Sequence, residues 1–352
     1  MEHRFKSAGI EYYHYALHRG FNPLADLNTY FSLRQMFHEQ RPVIVHAFDT
    51  KPCVWGRLAA RSADVPVVIG TLPGLGTLYT GNSLKNRLVR DWIYQPLQKR
   101  ASLTSEMTIF QNPEDAQQFI ASGLVPESKA EILPGSGVAS NIYDPSRFSE
   151  QDRHALRQEL NIHKDSILVT MVSRLIRSKG VFEFMEAAQL VKKEINAVEF
   201  LLVGPQDDSS TEGLTREQIS LVRDELIWIG ARNDIPLILA CSDIFVLPTT
   251  YREGIPRVLL EAASMGLPLV TTNIPGCNQI VEDDVNGYLV PPKDPKSLAH
   301  AITRLVVDQA VRHLFAERSR QRVLERFDLD LIAEKTRLIY KKLLSAHNLP
   351  TE

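Results

Sequence analysis

Cysteine is scarce: Cys53, Cys241 and Cys277 are the three in 352 residues. Their odd number, wide separation and lack of a C-x-x-C pair argue against a disulfide framework or a structural zinc site, and they read as small buried hydrophobes in a reducing cytoplasm. Long apolar runs are missing too. No stretch approaches the roughly 18 residues that a membrane-spanning helix requires, and the polar opening MEHRFKSAG does not have the form of a signal peptide. Charge of one sign is not in excess: 40 basic side chains face 42 acidic ones, a formal net charge of −2. Phosphate-driven binding to nucleic acid is therefore disfavoured, and any basic patch must be local. What remains is 44% apolar residues in a chain about twice the length of a ~150-residue domain, enough for two domains with separate cores.

Short apolar, β-branched runs alternate with longer amphipathic segments throughout, the pattern of βαβ units and parallel sheets. In the first half the runs predicted as strands are Ile10 to Leu17, Val43 to Ala47, Pro66 to Gly70, Met107 to Phe110 and Glu131 to Leu133. The second half repeats the plan with Ile167 to Val172, Val198 to Val203, Leu226 to Ile229, Ile244 to Leu247, Leu267 to Thr271 and Gly287 to Val290. The Pro-, Gly- and Ser-rich stretch from Leu133 to Arg147 separates them. Domains are accordingly expected over residues 1–145 and 146–330, with a C-terminal helix over 331–352. Two similar α/β halves bind ligands outside the carboxyl ends of their strands, so chemistry is expected in the cleft between them.

Two segments there ask for the same ligand. Ser173-Arg174-Leu175-Ile176-Arg177-Ser178-Lys179-Gly180 follows a hydrophobic strand and opens a helix, placing Arg174 and Lys179 where the helix dipole and free N–H groups already favour an anion. Taken alone, the segment is equally a solvated loop. Glu253-Gly254-Ile255-Pro256-Arg257-Val258-Leu259-Leu260-Glu261 again joins a strand to a helix. Glu253 lies in its loop and Glu261 about 12 Å farther along, at about 1.5 Å per residue. In isolation these are a loop charge and a helix-surface charge. With phosphates between them, one acid is placed for a sugar and the other for a ribose.

The run E-G-I-P-R-V-L-L-E-A, preceded by S-R-L-I-R-S-K-G and L-L-V-G-P and followed by G-L-P-L-V-T-T-N-I-P-G and N-G-Y-L-V-P-P, resembles the retaining glycosyltransferases of family 4, which have the GT-B fold of two Rossmann-like, doubly wound parallel-sheet domains facing a cleft. The resemblance covers residues 165–345 and, more weakly, 8–150. It implies that the second half binds a nucleotide-diphosphate sugar, a UDP-sugar, with no metal and no cofactor. Arg174 and Lys179 match the pair that neutralises the departing diphosphate, and Glu253 matches the acid that holds donor-sugar hydroxyls. Gly254, Ile255, Pro256, Arg257 and Val258 match the loop and helix start whose N–H groups meet sugar and phosphates. Glu261 matches the ribose acid, and Ile229 to Arg232 the segment that frames the base. The implied acceptor is a glycan or a polyprenyl-linked sugar of polysaccharide or cell-envelope synthesis, at the cytoplasmic side of the inner membrane.

Three departures accompany the resemblance. Pro256 stands where many members have Gly or Ser, which removes an N–H donor. Pro73 stands where members often have His. Ile10 to His14 matches the family's third strand, so about one βαβ unit is expected to be absent ahead of it. That absence is expected to reflect either a start placed too late or a degenerate relative, and the second keeps open a non-catalytic nucleotide-sugar-binding or partner subunit; a sugar-nucleotide epimerase of the same architecture fits the E-x7-E segment less well. Gly74-Leu75-Gly76 fails the third glycine of a dinucleotide fingerprint and reads as a cleft turn near the acceptor. His46 follows a buried strand, to line the cleft or to serve as a structural imidazole. Asp328-Leu329-Asp330 spells the acid pair of metal-dependent sugar transferases but is placed to cap the last helix. Ser83 to Ser102 mixes five basic residues with Trp92, Ile93, Tyr94 and Leu97; it reads as a solvated helix covering the first sheet or as a peripheral contact with anionic lipid.

Overall fold

A computed structural model describes residues 2–18, 21–75, 84–207, 210 and 212–351. Among them are two parallel sheets. The first has four strands in sequence order, β1 (Ile44–Phe48), β2 (Val67–Leu72), β3 (Met107–Phe110) and β4 (Ala130–Ile132). Helices α1 (Pro23–Gln40), α2 (Thr50–Ser62) and α3 (Pro113–Ala121) belong to this lobe. The second sheet has the order β10-β9-β8-β5-β6-β7. Its strands are β5 (Ile167–Val172), β6 (Val198–Val203), β7 (Ile227–Trp228), β8 (Ile244–Leu247), β9 (Leu269–Thr272) and β10 (Gly287–Val290).

Continuous burial explains why apolar runs rather than alternating ones form these strands. Every residue of β2, β3, β8 and β9 is buried, as expected for parallel strands covered on both faces. The larger core gathers around Met171, Phe184, Phe200 and Phe245 in the second lobe. In that sheet the strand order reverses between β5 and β8. Chains leaving those two neighbours diverge at their carboxyl ends and open a crevice, the topological switch point where α/β sheets take ligands. Helix α4 (Val181–Glu194) follows β5, and α5 (Arg257–Ser264) follows β8.

Two crossings join the lobes. Val138 donates to Phe327 O at 2.9 Å and its own carbonyl accepts from Leu329 N at 2.9 Å, so both connections touch at one point. The final helix, α6 (Leu329–Ala346), then returns to the first lobe. There Ile332, Ile339, Tyr340 and Leu343 pack on Val67, Ile69, Met107 and Ile109. Asp328 caps it, accepting from Asp330 N at 2.9 Å, so the D-L-D triplet is a helix start as predicted.

The segment Ile10 to Leu17 corrects one expectation: it belongs to no strand among the described residues. Its alternating letters fit a strand, but a strand requires a ladder partner. This segment is tied to α1 instead, with Thr29 Oγ1 donating to Ala16 O at 2.7 Å and Tyr13 donating to Gln40 Oε1 at 3.0 Å. A cavity of about 520 Å³, lined by Tyr13, Tyr15 and Phe37, lies between it and the β1 residues Ile44 to Phe48.

Candidate active site

The site forms where β5 and β8 end. Arg174 lies two residues beyond β5, and its Nη1 donates to Asp207 Oδ2 at 2.6 Å while half of the side chain stays exposed. Lys179 lies farther along the same loop and is almost wholly covered. Its ammonium pairs with Glu253 and lies 5.6 Å from the ring centre of Tyr251. Burial pushes this lysine down to about 8, and the nearby Arg174 charge adds to the effect. The basic loop and the acidic loop are stitched together by one carbonyl. Ser178 O accepts from Thr250 N at 2.7 Å and Thr249 Oγ1 at 3.0 Å.

Gly180, at φ 81°, starts α4 without a side-chain cap, so the first N–H groups of this 14-residue helix point at the crevice beside Lys179. The second helix start is less open. Pro256 is the N-cap of α5 and brings no N–H, and Ile255 N already donates to Gln111 Oε1 of the other lobe at 3.1 Å. Arg257 and Val258 therefore carry the amides of that turn that remain for a ligand. Of the segment Gly254 to Val258, Pro256 lacks the donor, as its sequence implies, and Ile255 N is engaged by the first lobe. Glu261 is one turn in, accepting from Arg257 Nε at 3.1 Å and from the Tyr143 hydroxyl, and burial raises its carboxyl above the usual range.

Gly254 and Gly74 meet face to face. A Cβ on Gly254 would overlap the Pro73 carbonyl and Gln111 Oε1, and one on Gly74 would lie 2.7 Å from Gly254 N. The loop after β2 thus closes on the loop after β8 with room for glycine alone, placing Gly74 beside Glu253 as a cleft turn. Gly76 to Tyr79 of that turn lie outside the described residues.

The remaining predicted residues are Ile229, Arg232 and His46. Ile229 and Arg232 follow β7, two strands beyond β5. Arg232 is held by Asp234 at 2.7 and 2.9 Å and by Glu159 at 2.8 Å, so its guanidinium is committed to the scaffold. His46 is tied on both sides of its ring. Its ring nitrogens lie 2.6 Å from the Tyr340 hydroxyl and 2.7 Å from that of Thr71, and burial lowers its pKa to about 4, so a neutral imidazole ties β1 to β2 and α6. Among the described residues no cluster of His, Cys, Asp and Glu has the form of a metal site.

Comparison with known proteins identifies the family and the fold. The family model "Glycosyl transferases group 1" matches residues 152–322, and "Glycosyl transferase 4-like domain" matches residues 1–135. The chain belongs to the group 1 glycosyltransferases. An α-1,3-galactosyltransferase from Escherichia coli, named for UDP-Gal and GlcNAc-diphosphoundecaprenol, is 29% identical over 92% of this chain and 81% of its own. A Campylobacter jejuni α-1,3-N-acetylgalactosaminyltransferase, named for a diphospho-undecaprenol-linked acceptor, is also 29% identical, over 92% of this chain and 83% of its own. In fold, a Rickettsia africae glycosyltransferase superposes with a TM-score of 0.79 at 19% identity, covering 97% of this chain and 87% of that one. Anabaena HepE in complex with UDP gives 0.75 at 23% identity, over 92% and 84%. This glycosyltransferase therefore has the GT-B arrangement.

Several of its site residues carry no signature in the sequence. Gln111, Asn112 and Asp115 lie where β3 leads into α3, and their reach across the crevice depends on the docking of two lobes. Asp207 and Tyr143 lie in irregular segments whose letters are ordinary. Arg252, beside Glu253, was the one readable hint: a cation next to a motif acid asks for a partner.

Proposed function

We propose that this glycosyltransferase is retaining and metal-independent, moving a sugar from a UDP-sugar to a lipid-linked or glycan acceptor in polysaccharide or cell-envelope assembly. The observation that carries the reading is the buried Lys179–Glu253 pair, with Arg174 beside it, at an uncapped helix start. Without donor, the two side chains neutralise each other. A diphosphate at the start of α4 competes for the ammonium of Lys179 and leaves Glu253 free to accept hydrogen bonds from the sugar. As the bond from the anomeric carbon to the phosphate oxygen breaks, charge grows on the diphosphate where Lys179, Arg174 and the helix N–H groups are already placed. The acceptor oxygen forms the new bond on the same face, and its proton passes to the departing phosphate oxygen. Glu261, freed from Arg257, accepts from the ribose hydroxyls, and Ile229 frames the base.

The test supplies UDP-galactose, UDP-N-acetylgalactosamine and UDP-glucose with a prenyl-diphosphate-linked N-acetylhexosamine in EDTA. UDP release and an α-linked product by NMR are expected. A β-linked product removes retention, and activity lost to EDTA but restored by Mg²⁺ removes metal independence. UDP binding without consumption of any donor would point to the non-catalytic subunit.

Lys179 also sets a pH dependence. With its pKa near 8 the ammonium prevails below that value and is lost above it. Free-enzyme kcat/KM for donor is expected to fall about tenfold per pH unit on the alkaline side. Lys179→Arg, which stays charged, should remove that limb even where its overall rate is lower. An alkaline limb unchanged in the variant assigns it to another group.

The lipid reading has its own support. Leu84, Leu88 and Trp92, spaced by four, are 75%, 59% and 78% exposed on the helix Leu84–Val89 and the π-turn after it, with Arg87 among them. Ser83 and the Lys85 side chain lie outside the described residues. We propose that this stripe rests on anionic lipid at the membrane's inner face. Among the described residues no helix is long and apolar enough to cross a membrane. Flotation with phosphatidylglycerol vesicles should retain the wild type and release Trp92→Ser together with Leu88→Ser; equal flotation of both removes the proposal.

A further inference from the structure

The run Gln111-Asn112-Pro113-Glu114-Asp115 begins α3 in the first lobe, yet most of its side-chain polar atoms are directed at the second. Asp115 Oδ1 accepts from Arg252 Nη2 at 2.6 Å, and Gln118 Oε1, one turn on, accepts from Arg252 Nη1 at 3.2 Å. The Asp115 side chain is 2% exposed, so this contact is little screened by water. Asn112 Nδ2 donates to the other Asp115 oxygen at 3.0 Å and to Gly254 O at 3.3 Å. Gln111 Oε1 takes Ile255 N–H, and Glu114 accepts from Asn278 and Gln279 at 3.1 and 3.3 Å.

Residues 252, 254 and 255 are therefore all fixed from the first lobe, and Glu253 is the residue they enclose. A carboxylate's position follows the backbone on either side of it, and a misplacement of about 1 Å in a reacting array is enough to lower rates a hundredfold. We infer that Asp115, acting through Arg252, is a positioning residue for Glu253, so that the sugar end of the donor is held only while the lobes are docked. The inference rests on the donor site proposed above. It divides the donor in two. Lys179, Arg174 and Glu261 lie within the second lobe and hold the nucleotide diphosphate regardless of docking, whereas the sugar depends on the first lobe.

Three variants test it: Arg252→Gln, which changes a partly exposed side chain and keeps the fold; Asp115→Asn; and the two combined. In each single variant, hydrogen exchange of a peptide spanning residues 250–257 should quicken at least tenfold while peptides from α4 stay unchanged. The Kd for UDP should stay within twofold of the wild type. The KM for whichever of UDP-galactose, UDP-N-acetylgalactosamine or UDP-glucose the wild type consumes should rise about tenfold, with the double variant no worse than the worse single one. A contact that merely glues the lobes would instead weaken UDP and UDP-sugar alike, and that result overturns the inference, as does an Arg252→Gln protein kinetically identical to an active wild type. A wild type that neither binds UDP nor consumes any of the three donors overturns the donor-site reading and this inference with it.

Discussion

Lys179→Ala is expected to lower kcat for sugar transfer by on the order of a thousandfold, the scale seen when a preorganised group facing developing charge is removed. The lysine is buried, so its charge acts through little water, and it adjoins the uncapped start of α4 where the leaving diphosphate would gather charge. Arg174, half exposed and shared with Asp207, contributes less: Arg174→Ala alone should lower the rate about tenfold, since a screened and already paired cation has less to offer. Continuous detection of released UDP measures both. Thermal unfolding of Lys179→Ala belongs beside the kinetics, because Glu253 then loses its ion partner in a largely covered place. Transfer at near wild-type rate in the doubly substituted Arg174→Ala, Lys179→Ala protein would remove the phosphate clamp altogether.

Gly254→Ala is expected to cost about a hundredfold in kcat/KM for the donor, with a folded protein. The obstacle is backbone. Gln111 Oε1 can swing aside, but the Pro73 carbonyl belongs to the chain, and the new methyl would overlap it. Either the loop carrying Glu253 retreats or the lobes separate, and both move the acid away from the sugar. Steady-state kinetics with a thermal melt as control decides this. Unaltered kcat/KM in the Gly254→Ala protein would mean that the loops after β2 and β8 do not touch in the working enzyme.

The second lobe was far more legible in the sequence than the first. Ile167 to Val172, Val198 to Val203, Ile244 to Leu247 and Gly287 to Val290 are strands at the predicted residues, because parallel strands covered on both faces leave unbroken apolar runs between turn formers. Lys179 and Glu253 were legible for a related reason: each lies in the short loop between such a strand and a helix, so the topology alone brings them to one crevice. In the first lobe Met107 to Phe110 behaved the same way. Ile10 to Leu17 did not, because alternation records which face of a segment is apolar and says nothing of whether a ladder partner lies alongside. His46 was ambiguous for want of tertiary knowledge. Its two hydrogen-bond partners, Thr71 and Tyr340, are 25 and 294 residues away, and only the return of α6 brings the second into reach.

That return has a consequence for synthesis. The face of the first sheet formed by Val67, Ile69, Met107 and Ile109 is covered by residues from Ile332 onward. A ribosome-bound chain therefore presents a naked apolar sheet until its last helix emerges, long after the second lobe has all its strands. Although domains commonly mature from the amino terminus forward, here the first lobe is covered only after the strands of the second have been made.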